Sequence, residues 1–227
     1  MIKAIIFDAG EVVYYRDEET LKPILDFFKD NRIRVSAKQF IEAYDKHALE
    51  VYKGKISKDR HLETMLEFLK IDFDVPFFNK FAEIFRKSFS NIKINKRASE
   101  TFEKIKSLGI KIGILTDTVT TEEKKWEWLK KINAARFIDA VICSSVTGHT
   151  KDEKEAYEAV LQKLKLNKED VIFVGHKKYE MQGAKLAHIK SVSLEKDAGG
   201  DHYIIDISEV LNLINAPKNK NSPIFQI

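Results

Sequence analysis

The chain has 227 residues, 44% hydrophobic and 33% charged, enough to bury a full core in one large domain or two modest ones. Basic and acidic residues are interspersed, so the net charge of +4 comes without an arginine-rich stripe or aromatic–basic interleaving, and nucleic acid is not an expected partner. The single cysteine, Cys143, excludes an internal disulfide and belongs to no zinc-spaced Cys/His pattern, and about 18 consecutive apolar residues occur nowhere, so a cytoplasmic protein with no membrane span is expected.

The opening MIKAIIFDAG reads as a strand and not as a targeting segment. Its isoleucine-rich run Ile2–Phe7 stops at Asp8-Ala9-Gly10, as a strand buried on both faces of a parallel sheet would. From about Arg16 to Asn91 strand-like runs are missing and helical periodicity takes over. Helices are expected at Glu18–Asp30, Ala37–Lys53, Lys58–Leu69 and Phe77–Ser90, with Ser36 and Ser57 placed as N-caps. Phe40, Ala43, Tyr44, His47 and Val51 recur at helical spacing, as do Leu62, Met65, Leu66 and Leu69. The phenylalanines of this region, among them Phe27, Phe28, Phe68 and Phe81, read mostly as core.

Further strand runs follow at Lys111–Thr116, Ala140–Ser144, Val171–Gly175, Ser191–Leu194 and Tyr203–Ile205. Between them lie helical patterns at Arg97–Leu108, Thr121–Ile132, Glu153–Leu164 and Tyr179–Ala187, with a last helix at Ser208–Ile214. This alternation predicts an α/β core, a Rossmann-like parallel sheet with helices on both faces, interrupted by an all-α helical bundle. The expected division is a core of residues 1–15 plus 95–215, an insert of 16–94, and a loose tail of 216–227.

Loops at the carboxyl ends of parallel strands converge on one crevice. The residues at those ends are Asp8, Thr116 and Asp117, Lys151 after the Ser145–Thr150 loop, and His176 with Glu180 four positions on. Each type has a use in phosphoryl transfer. A carboxylate can attack phosphorus, a hydroxyl and an ammonium can hold the equatorial oxygens, and a second acid can complete a magnesium site.

The segments IIFDAGEVV, ILTDT, the lysine of GHTKDEKEAY, and VIFVGHKKYEMQGAK resemble the four motifs of the haloacid dehalogenase superfamily. The helical insert resembles that family's cap, and GDHYIIDISEVLNL its last strand and helix. The resemblance implies that Asp8 is a nucleophile, Thr116 a phosphate-binding hydroxyl and Lys151 a charge-stabilising lysine. Asp117, Gly10 and Glu11 would line the substrate position, and Asp8, Glu180 and His176 any metal position. Two departures stand out. Phosphatases of the family carry an aspartate where this chain has Gly10, and an acid where it has His176. Histidine is a poor ligand for Mg2+ and a good one for a transition metal.

Three readings follow from these residues and the resemblance. One is a hydrolase acting on a small phosphorylated metabolite through an aspartyl intermediate, with Mg2+ or a transition metal through His176. A second is a metal-free 2-haloacid dehalogenase-type reaction, which Lys151 and Tyr157 suit. The third is a catalytically impaired protein kept for binding or regulation. Trp126, Trp128, Lys177 and Lys178 read as packing and solvated surface, and nothing in the sequence points to an oligomeric state.

Overall fold

The computed structural model describes residues 1–215; the stretch 216–227, expected as a tail, lies outside the described residues. Strand β1 (Ala4–Asp8) is buried over its whole length. Its side chains alternate between two cores, as the twofold period of a strand requires. Ile5 and Phe7 join one apolar cluster, whereas Ala4 and Ile6 join another on the opposite face.

The chain then makes a two-residue strand β2 (Tyr14–Tyr15) before entering the helical insertion. That insertion comprises α1 (Glu18–Asp30), α2 (Ala37–Lys46), α3 (Ala48–Tyr52), α4 (Lys58–Phe68) and α5 (Val75–Phe89). Side chains of Asp17, Ser36, Ser57 and Asp74 accept backbone N–H bonds at four of the five helix starts, satisfying donors that a helix leaves unpaired. The helix expected over Ala37–Lys53 is two helices. The chain breaks at His47, whose φ of −121° is non-helical. The insertion has its own apolar cluster of Leu21, Ile24, Phe28, Phe40, Met65, Leu66 and Phe81.

The return passes through β3 (Lys93–Ile94), which pairs antiparallel with β2. Both crossings between core and insertion are therefore tied together. Arg16 reinforces the tie, donating to the Phe89 carbonyl at 2.9 and 3.1 Å and lying 4.9 Å from that ring's centre. The ribbon is a feature that two-residue strands are too short to announce in sequence.

The remaining elements alternate. They are α6 (Lys96–Ser107), β4 (Lys111–Thr116), α7 (Glu122–Lys131), β5 (Ala140–Cys143) and the single turn α8 (Ser144–Thr147). After these come α9 (Lys154–Leu164), β6 (Val171–Gly175), α10 (Lys178–Leu186), β7 (Lys190–Ser193), β8 (His202–Tyr203) and α11 (Val210–Asn215). The sheet order is β5-β4-β1-β6-β7-β8, and every neighbouring pair is parallel. The α/β class and helical insertion expected from the sequence are those observed. Strand ends move by one or two residues; Asp8 closes β1 instead of following it, and Ser144, expected in β5, opens α8. No described helix is long and apolar enough to cross a membrane.

Candidate active site

With β1 in the middle of the sheet, its carboxyl end is flanked by the ends of β4 and β6. Asp8 lies in register with Leu115, which puts Thr116 one residue beyond it. On the other side Phe7 pairs with Val174, so Gly175 and His176 lead out beside Asp8. Thr116 is buried, and the following helix α7 is capped by Thr121 instead, so Thr116 is not used up as a cap.

Lys151 is the hub. Its ammonium donates to Asp8 Oδ1 and to Glu180 Oε1, with all three groups buried. Three contacts hold it there. Its backbone N–H donates to Asp117 Oδ1 at 3.0 Å, and its carbonyl accepts the Tyr157 hydroxyl at 3.0 Å. The same hydroxyl contacts the Glu180 carbonyl at 2.6 Å, linking the Lys151 loop to α10. The third contact is one of shape. A Cβ on Gly183 would stand 2.0 Å from the Lys151 carbonyl oxygen, so only glycine lets α10 approach this closely. Gly183 was not singled out in the sequence, although a glycine inside a helical pattern is a signal that could have found this approach.

Glu180 is committed on both oxygens. Oε1 takes Lys151, while Oε2 accepts the backbone N–H groups of His176 at 2.9 Å and Lys177 at 3.1 Å, closing the start of α10. Gly175 makes room for this carboxylate, since a Cβ there would lie 2.5 Å from Oε2. The His176 Nδ1 lies 3.3 Å from Asp8 Oδ2 and 3.8 Å from Glu180 Oε2. Neither contact has hydrogen-bond geometry, and the buried Nδ1 is left without a hydrogen-bond partner.

Charge follows from these distances. Burial works against ionising Asp8, but the Lys151 ammonium and His176 outweigh it and hold the carboxyl well below the usual range. Burial likewise opposes the charge on Lys151, and Asp8 with Glu180 reverses the balance, so its pKa is well above ordinary. His176 is raised in the same way, burial opposing and Asp8 and Glu180 prevailing. Asp117 is different. Burial, only partly offset by Lys151, pushes it up to about 6.

The structure separates the other sequence candidates. Asp117 is engaged on both oxygens, by the Lys151 N–H and by the Tyr179 hydroxyl at 3.1 Å. Gly10 is open; a Cβ there would meet only Asp8 Oδ2, at 4.0 Å. Glu11 follows in the left-handed region, with φ 59°, and is exposed. Trp126 and Trp128 pack on the core, whereas Lys177 pairs with Asp45 of the insertion at 3.2 Å.

Sequence reasoning missed the seam between insertion and core. Lys53 reaches Asp152 at 2.6 Å and Glu153 at 3.1 Å, directly after Lys151. The hydroxyls of Tyr44 and Tyr52 meet at 2.6 Å on the same side. Tyr179 was missed as well, as was Lys125, a buried lysine that donates to the Tyr14 hydroxyl at 2.7 Å and lies 4.6 Å from the Trp128 ring centre. Nothing in a lysine's neighbours along the chain distinguishes such a residue from a solvated one.

The sequence pattern of the haloacid dehalogenase-like hydrolase family matches residues 2–188. The chain belongs to that family. It is 24% identical over 237 residues to a glyceraldehyde 3-phosphate phosphatase of Methanocaldococcus jannaschii, covering 94% of this chain and 97% of that one. Among solved structures it resembles a putative β-phosphoglucomutase from Thermotoga maritima, with TM-score 0.70, 21% identity, and 94% and 98% of the two chains covered. A putative hydrolase of the family from Bacillus subtilis, bound to magnesium, matches at TM-score 0.73 and 14% identity over 95% and 99% of the chains. At these identities the structural likeness is one of fold.

In this family member Asp8, His176 and Glu180 each bring one donor atom within 4.8 Å of the others, close enough to surround a small cation. Taken atom by atom, the set suits Mg2+ poorly. Both Glu180 oxygens and Asp8 Oδ1 already hold donors, leaving Asp8 Oδ2 and an imidazole nitrogen, whereas Mg2+ needs an octahedron of oxygens.

Proposed function

We propose that the chain is a phosphatase-type hydrolase of small phosphorylated metabolites, with Asp8 as nucleophile and residues 16–94 as a cap over a core of 1–15 plus 95–215. The observation that carries this reading is Asp8 itself, a buried carboxylate kept ionised by Lys151 at the carboxyl end of the central strand. Lys151 engages Oδ1, so Oδ2, on the side of Gly10 and His176, is the oxygen free to attack phosphorus. Thr116 and Lys151 would hold the phosphoryl oxygens as charge develops on them. Asp117 would act by fixing the Lys151 loop, not by touching substrate. The curated relative that hydrolyses a triose phosphate supports a small phosphorylated substrate.

The weak point is the leaving group. With Gly10 in place of an acid, an alkoxide departs unprotonated unless water or His176 assists, and general acid help is typically worth about 10²–10⁴-fold. Aryl and acyl phosphates, with their good leaving groups, are therefore the expected substrates. Turnover of an aryl phosphate should fall at least about 10³-fold in Asp8→Asn. Equal rates in the two proteins would refute the reading. Gly10 has room for a side chain, so Gly10→Asp should raise alkyl-phosphate turnover by about tenfold or more and aryl turnover much less.

A second reading, retirement from catalysis, draws on the Lys151 ion pair at Asp8 Oδ1 and on His176 standing 3.3 Å from Oδ2. It predicts binding of inorganic phosphate with no turnover of any ester. Displacement at carbon, as in 2-haloacid dehalogenases, is tested by halide release; Tyr157, which suited it, here braces Lys151 and α10.

A further inference from the structure

We infer that His176 keeps magnesium out of this site, so that the positive charge around Asp8 comes from protein side chains and not from a hard divalent ion. The inference rests on reading Asp8 as the reacting carboxylate, and its argument is a count of free oxygens. Lys151 holds Asp8 Oδ1 and Glu180 Oε1 together. Glu180 Oε2 is occupied by two backbone N–H groups at the start of α10, and freeing it would leave those donors unpaired in a buried place. Of the four carboxylate oxygens, one accepts no hydrogen bond and faces no lysine: Asp8 Oδ2.

The two neighbours of that oxygen decide what can join it. On one side is Gly10, which offers no side chain. On the other is His176, with Nδ1 3.3 Å away. Its backbone N–H is tied to Glu180, so the residue is held in this position. An imidazole fails as a magnesium ligand in either protonation state. When neutral it is a softer nitrogen donor where Mg2+ demands oxygen, and when charged it repels the ion. Magnesium would thus find one carboxylate oxygen without a hydrogen bond and otherwise backbone carbonyls and water, too little charge to hold a reluctantly dehydrated ion. An acid at position 176 would restore a second carboxylate facing Oδ2.

The test is titration of the intact protein with MgCl2 alone, followed by calorimetry and thermal unfolding. The wild type should give no binding heat and no shift at millimolar Mg2+. His176→Asp should bind the ion and gain roughly 5 °C at saturation, and the added change Asp8→Asn should remove the gain. His176→Asn, which offers a neutral oxygen, supports the comparison if the aspartate variant folds poorly by circular dichroism.

Magnesium binding by the wild type that Asp8→Asn abolishes would overturn the inference, as would a folded His176→Asp and His176→Asn pair that both ignore the ion. Wild-type turnover of an aryl phosphate in excess chelator supports it, and turnover that requires Mg2+ overturns it. If no ester is turned over but the binding pattern is as stated, the phosphatase reading fails and this inference stands.

Discussion

The two interiors of this protein are built from opposite materials. The insertion packs rings: Phe28 and Phe81 lie with centres 5.5 Å apart, Phe85 and Phe89 4.1 Å apart, and Phe27 and Phe77 4.9 Å apart. The mouth of the core packs charges, with Asp8, Lys151 and Glu180 all buried and Asp117 beside them. Dispersion and area burial add up over many weak contacts, so the ring-packed interior tolerates exchange of one apolar shape for another. A buried charge cluster has no such tolerance. Each member is held there only because another compensates it, and removal of one exposes the rest.

Lys151→Met breaks the comparison at its strongest point. It leaves two carboxylates buried together, and denaturant unfolding should show a loss of about 3–5 kcal/mol. A loss below about 1 kcal/mol would show that the cluster is not a stability-determining unit. Asp117→Asn should act in the opposite direction. Its folded pKa of about 6 lies above the ordinary 3.8, so the ionised form is disfavoured by folding. Its destabilising effect is complete above about pH 6 and fades as pH falls through 6 toward 3.8. The variant should therefore be more stable by about 3 kcal/mol at pH 7 and by less than about 1 kcal/mol near pH 4. A gain that does not vary with pH would contradict this. In the insertion, Phe28→Leu should cost only about 1 kcal/mol, although Phe28 is as fully buried as any residue of the charge cluster. A larger loss would bring the two interiors closer together than their chemistry implies.

The same contrast explains what could be read in advance. Asp8, Thr116, Lys151, His176 and Glu180 are recognisable because they follow apolar runs whose period announces strands, and strand ends converge in this type of sheet. Their neighbours along the chain carry the information. Tyr179, Lys53 and Lys125 matter through neighbours distant in sequence: Asp117, Asp152 and Tyr14. No local pattern marks such contacts. The break at His47 and the β2–β3 ribbon escaped for a related reason, since a one-residue interruption and a two-residue strand carry too little periodic signal.

By itself, then, the sequence determined the alternation of buried strands and amphipathic helices, the helical insertion, and the set of chemical groups at the mouth. These follow from hydrophobic period and from residue type, which are local properties. The tertiary structure decided how those groups are used. Glu180, legible only as an acid, became a helix-start acceptor and a lysine anchor, and both oxygens were consumed. Asp117 became a strut, and Gly10 a space beside Asp8 Oδ2. A side chain has few lone pairs and protons, and which of them remain free is settled only when every packed neighbour has taken its share.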